Sequence, residues 1–146
     1  MNFNKTGSAL IIGGTSGMGL ETAKRLVNNN IDLIIVGNNE DKLDRAATEL
    51  QALATTSRIS GFQTNLYNNS SVQKLLDLIN STATQISYLV NAAGYFSPKA
   101  FVEHSTDDYD TYLDLNKATF VISQAVTQNM IRHEQGGNIV NIGSMW

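Results

Sequence analysis

Short apolar runs alternate with longer amphipathic stretches along the chain. The runs cover residues 9–12, 33–36, 59–62, 86–90 and 139–142. The first two are unbroken rather than alternating, which predicts strands buried on both faces. The stretches between them carry helical spacing. Val72, Leu75, Leu76 and Ile79 fall at i, i+3, i+4 and i+7, behind a capping-box pattern formed by Ser70 and Gln73. Leu20, Ala23 and Val27 repeat the theme. So do Leu43, Ala46, Leu50 and Leu53 after Asn39, and Leu115, Ala118, Ile122 and Ala125 along a longer helix. That last helix is expected to begin near Ser105, where Asp107 and Asp108 suit the positive end of a helix dipole.

Strand and helix therefore alternate, which predicts an α/β fold with a parallel sheet and helices on both faces. No linker, low-complexity tract or internal repeat interrupts the order, so residues 1–146 are expected to form one domain. The single proline, Pro98, falls in the connection after the fourth strand, where a missing N–H does least harm.

Composition narrows the function classes. Apolar residues make up 42% and charged residues 16%, enough apolar surface for a core. The net charge is −3 with no basic run, which argues against nucleic acid as a partner. There is no cysteine, which excludes disulfides and thiolate chemistry and fits a reducing compartment. The run at 9–12 is too short for a membrane span and leads into glycines rather than a cleavage site. A cytoplasmic protein with no membrane partner is the expectation. His104 and His133 fit no metal-ligand spacing, so no metal site is expected.

The first strand runs into Gly13-Gly14-Thr15-Ser16-Gly17-Met18-Gly19 and then a helix. Glycines there allow positive φ and let the backbone approach a ligand with no Cβ in the way. The helix behind them points free N–H groups and its positive end into the same space, a setting for a pyrophosphate. The spacing is G-x-x-x-G-x-G, which differs from the G-x-G-x-x-G dinucleotide fingerprint.

Three further motifs follow in order. Asn91-Ala-Ala-Gly94 comes after the fourth strand, Asn116 lies in the long helix expected to begin near Ser105, and residues 137–144 form a strand ending at Ser144. Together with Gly13, Gly17 and Gly19, they give the chain from about residue 6 to 146 a resemblance to the short-chain dehydrogenase/reductase (SDR) family. The resemblance implies a Rossmann-type doubly wound sheet of five strands in the order 3-2-1-4-5, truncated before the last strands and helices. It implies NAD(P)-dependent hydride transfer between nicotinamide and a carbonyl or alcohol. Residue by residue, Gly13, Thr15, Ser16, Gly17, Met18 and Gly19 would hold the pyrophosphate and adenosine ribose. Asn65 and Leu66 would border the adenine. Asn91, Ala92, Ala93 and Gly94 would line the nicotinamide-side ribose. Asn116 and Ser144 would be the catalytic members present. Two positions depart from the family pattern: Asn65 replaces a usual Asp but can still accept through its amide oxygen, and Ile12 stands where Thr is common.

Cofactor choice turns on the end of the second strand. An acid there would accept from a ribose 2′-OH, and a nearby base would hold a 2′-phosphate. Gly37 supplies no acid; Asn38 and Ser16 stand where NADP-preferring relatives carry bases, and both can hydrogen-bond a phosphate. The balance favours NADP(H) over NAD(H), unless Glu40 or Asp41 folds over the ribose.

In the family a Tyr-x-x-x-Lys motif follows the serine and supplies the proton. The sequence ends at Trp146, so the chain by itself is expected to be inactive. Tyr95 and Lys99 have that spacing, but Pro98 disfavours the helix that would stack them. The fifth strand would then be a bare sheet edge, open to pairing with another chain, and a homo-oligomer is expected. Two other readings stay open: a non-enzymatic NAD(P)-binding sensor or interaction protein, and an inactive truncated remnant.

Overall fold

An unbroken apolar strand needs two cores, one on each face, and the chain builds both. In the computed structural model, which describes residues 7–143, the strands are β1 (Ser8–Ile12), β2 (Asp32–Gly37), β3 (Ile59–Gln63), β4 (Ile86–Asn91) and β5 (Asn138–Asn141). The helices are α1 (Gly17–Val27), α2 (Glu40–Leu53), α3 (Asn69–Ser81) and α4 (Thr106–Arg132), with one 3-10 turn at Phe101–Glu103. All five strands are parallel and lie in the order β3-β2-β1-β4-β5.

Side chains alternate across a strand, so β1 divides its residues between two layers. Ala9 and Ile11 join Leu33 and Ile35 against Ala23 and Val27 of α1 and Leu43, Ala46 and Leu50 of α2. Leu10 and Ile12 join Val36 and Leu89 against Leu75 and Ile79 of α3 and Ile122 and Val126 of α4. Leu10, Ile11 and Ile12 are fully buried, each contributing about 1.5–3 kcal/mol of transfer free energy. The edges are different: every β5 residue is exposed, and among the described residues β5 pairs only with β4. In α2 the apolar stripe ends at Leu50, since Leu53, the last helical residue, is exposed.

Polar side chains set where the helices begin. Ser105 caps α4 through a capping box: its hydroxyl accepts from the Asp108 N–H and the Asp108 carboxylate accepts from the Ser105 N–H. For α3 the capping box expected at Ser70 and Gln73 is not formed. Asn68 caps the helix instead, its Oδ1 accepting from the Ser71 N–H at 2.9 Å. Asparagine caps as well as serine and meets the chain two residues earlier. Ser71 is released to bond the Asn65 N–H at 2.9 Å, and Gln73 bonds Asp77 within the helix.

One buried amide ties α4 to the sheet. Asn129 is fully buried; its Oδ1 accepts from the Ile86 N–H at 2.8 Å and its Nδ2 reaches the Ile79 and Thr84 carbonyls. Replacing Asn129 by Leu orphans the Ile86 donor. The expected result is a loss of about 1–3 kcal/mol in urea denaturation; an unchanged midpoint would contradict this role.

At the start of α4, Lys99 Nζ bonds both Asp108 oxygens at 2.6 and 2.7 Å. Lys99 first, and then the Ser105 backbone and hydroxyl, hold the Asp108 carboxyl well below the usual carboxylate range. The unfolded chain takes up that proton more readily, so the cluster stabilises fully above roughly pH 4 and loses its effect as pH falls further. Asp108→Asn should therefore flatten the acid limb of the stability–pH curve below about pH 4. Parallel acid limbs for the variant and the parent would show that the cluster contributes nothing.

Candidate functional site

Three backbone segments meet beyond the carboxyl end of β1. The Gly13 and Gly14 N–H groups donate to the Val36 carbonyl at 2.9 and 3.1 Å, and the Ala92 N–H donates to the Ile12 carbonyl at 2.8 Å. The turn after β1 is thereby tied to β2 on one side and to the segment after β4 on the other. In a doubly wound sheet this is the switch point, where successive crossovers leave in opposite directions and a crevice opens.

The glycines of the turn do different work. Gly13 has φ +78°, and a Cβ on it would lie 2.7 Å from the Ala93 nitrogen. A Cβ on Gly19 would lie 2.2 Å from the Gly13 carbonyl oxygen. These two let the backbones close up. Gly17 also has positive φ, +53°, but a Cβ there would meet nothing within 4 Å. It borders open space.

That space is a cavity of about 590 Å³, within the range of small-molecule and cofactor sites. Of the residues singled out in the sequence, Gly13, Thr15, Ser16, Gly17, Met18, Asn38, Asn65, Leu66, Ala92, Ala93 and Gly94 line it. Gly19 and Asn91 are not on its wall. Gly19 packs behind the turn, and the Asn91 side chain donates to Asn141 Oδ1 at 2.7 Å and Ser123 Oγ at 3.2 Å. Asn91 thus ties β4 to β5 and α4, while its own buried Oδ1 has no partner.

Helix α1 begins at the cavity rim. Ser16 is its N-cap residue, but the serine side chain makes no capping bond, and the first turn carries no acid. The opening N–H groups of a helix have no partner within it, so this end offers donors and a partial positive charge to the cavity. At the far wall, Asn65 Oδ1 accepts from the Tyr67 N–H at 3.0 Å. Its side-chain Nδ2 makes no hydrogen bond among the described residues, so the amide has a donor to offer beside its engaged oxygen.

Three lining residues escaped the sequence reading. Thr64 is 1% exposed and its hydroxyl has no partner. Tyr67 stands edge-on to Tyr95, which in turn stands edge-on to Tyr112 at 5.1 Å. Desolvation first, then Tyr95 and Tyr112, push the Tyr67 phenol above its ordinary pKa. Lys42, in the first turn of α2, is the only charged residue on the wall among the described residues. Neither Glu40 nor Asp41 reaches the cavity. A lysine following an N-cap reads as a solvated surface residue, and nothing in its spacing marks it otherwise.

The remaining candidates lie apart. Asn116 is exposed on α4, although its neighbour Leu115 lines the cavity. Ser144 falls outside the described residues. Tyr95 and Lys99 sit in a connecting segment with no regular helix, and Lys99 is engaged by Asp108. Among the described residues no cluster of His, Cys, Asp or Glu could hold a metal, and no helix is long and apolar enough to cross a membrane.

Known proteins resemble this chain in sequence and in fold. A 3alpha-hydroxysteroid dehydrogenase of Mediterraneibacter gnavus is 28% identical over 138 residues, covering 94% of this chain and 55% of its own length. A short-chain dehydrogenase from Sphingobium yanoikuyae, solved in complex with NADPH, superposes with a TM-score of 0.87 at 26% identity, covering 95% of this chain and 54% of that one. The bulky-bulky ketone specific alcohol dehydrogenase from Comamonas testosteroni gives 0.86 at 27%, covering 97% and 56%. The chain spans about half the length of the curated relatives it matches. The sequence model described as short chain dehydrogenase matches residues 7–146, and the chain belongs to that family.

Proposed function

We propose that the cavity at the β1–β4 switch point binds a nicotinamide dinucleotide, NADP(H) in preference to NAD(H), and that residues 1–146 form the cofactor-binding unit of an oxidoreductase. The observation that carries this is the open ground in front of Gly17, at the start of an uncapped helix, where a Cβ would stand in an otherwise empty cradle. The orphan hydroxyl of Thr64 on the same wall fits a polar ligand too. A relative of similar fold was solved with NADPH, which favours the same class of ligand here.

In this reading the Gly17 and Met18 amides face the pyrophosphate at the helix start, where the dipole favours negative charge, and Gly19 closes the turn behind them. Asn65 and Leu66 border the adenine. Ala92, Ala93 and Gly94 flank the nicotinamide-side ribose, and Asn91 acts from behind them by fixing β4 to β5. Bound there, the cofactor would supply or accept a hydride. Ser144 would polarise the substrate carbonyl and Asn116 would support the proton-transfer residues. The small carbonyl or alcohol substrate, the Tyr and Lys of the family and a homo-oligomeric assembly belong to the whole protein. On this account the 146-residue chain binds cofactor without turning substrate over.

Fluorescence titration with NADPH tests the binding site. Gly17→Asn, a residue that tolerates the positive φ of +53° at this position, should weaken binding at least about tenfold, the equivalent of about 1.4 kcal/mol. Gly136→Val is the control: its Cβ also meets open space, away from the cavity. Equal affinities for the two variants, both folded by circular dichroism, would refute the assignment of the pyrophosphate to this turn.

A further inference from the structure

Among the described residues the cavity wall is neutral except at one point. Lys42 lines it together with Thr15, Gly37 and Asn38, at the end of β2. The side chain is exposed, and among the described residues no carboxylate pairs with it. The acids beside it in sequence, Glu40 and Asp41, are not on the wall.

Local structure fixes the lysine's backbone. Asn39 caps α2 by accepting from the Lys42 N–H at 2.9 Å. The preceding Asn38 carbonyl is held by Gln63 Nε2 at 3.1 Å. The first turn of α2 is therefore anchored beside β3 and the cavity, and the lysine's long stem lets an ammonium reach over the wall. The same corner excludes a competing acid. A Cβ on Gly37 would lie 2.4 Å from Thr15 Cγ2, and threonine is stiff at χ1. Thr15 thus takes the room that a carboxylate side chain at the strand end would need.

We infer that Lys42 is the residue that selects a phosphorylated adenosine ribose, supplying from α2 the positive charge that neither Asn38 nor Ser16 carries. This rests on the cavity being the dinucleotide site. The ammonium is a mobile point charge that meets the phosphate at the rim, while Asn38 contributes a neutral hydrogen bond. A cofactor lacking that phosphate makes no use of Lys42. The residue therefore separates two ligands that share every other group.

The test is a parallel titration of the protein with NADPH and with NADH, for the parent, Lys42→Ala and Lys42→Arg. The parent should bind NADPH more tightly. Lys42→Ala should weaken NADPH by roughly tenfold to a hundredfold, the usual range for a hydrogen bond to a charged group, and leave NADH within about twofold. Lys42→Arg should keep most of the NADPH affinity. Raising salt should weaken NADPH binding to the parent more than to Lys42→Ala. Equal losses for both cofactors, or no loss for either, would overturn the role of Lys42 while leaving the cavity as the cofactor site. A parent that binds NADH as tightly as NADPH would overturn it as well. A parent that binds neither would overturn the cavity assignment itself.

Discussion

The structure hangs on one close approach of backbone to backbone. The turn after β1 lies so near the segment after β4 that a single carbon on Gly13 would strike the Ala93 amide, and one on Gly19 would strike the Gly13 carbonyl. Only with both positions bare can the Ala92 N–H reach the Ile12 carbonyl and the Gly13 N–H reach Val36. These bonds hold the ends of β1, β2 and β4 at one level, and that level is the floor of the cavity. The two cores on either side of the sheet supply most of the stability; the glycine contact decides where the surface opens.

The division of labour in that turn gives the site its character. Two glycines bring walls together and a third leaves a gap between them, so the helix start that borders the gap is left bare of side chain. Peptide N–H groups at a helix start are fixed donors that need no reorganisation to meet an anion. Among the described residues the polar side chains on the wall are asparagines, serine, threonines and one tyrosine, with a single cation at the rim. Such a surface suits binding and orientation more than bond-making.

Much of the fold was legible because hydrophobic periodicity is a direct record of burial. The alternation of strands and helices and the helix stripes followed from it, the strand order came with the family resemblance, and Ser105 announced its own helix. Where the reading went wrong, two polar residues competed for one job: Ser70 had the pattern of a cap, but Asn68 lay nearer the turn and took it. The site was legible only in outline. Its glycines are conspicuous, yet sequence does not tell a glycine that must touch backbone from one that must not touch anything. Asn91 has the right motif, but its side chain proved to face β5 and α4. Thr64 and Lys42 left no mark, because a threonine after a strand and a lysine in a first helical turn are ordinary in either role. Only their shared position on one wall distinguishes them.

The most direct measurement is a map of amide chemical shifts in the nitrogen-labelled protein as plain ADP is added. ADP carries the pyrophosphate and adenine but neither the nicotinamide nor a 2′-phosphate. If the open turn is the phosphate cradle, the largest changes fall on the amides of Thr15 through Gly19, with a second set at Asn65 and Leu66. Changes centred elsewhere on the sheet, with those amides still, would contradict the account at its root.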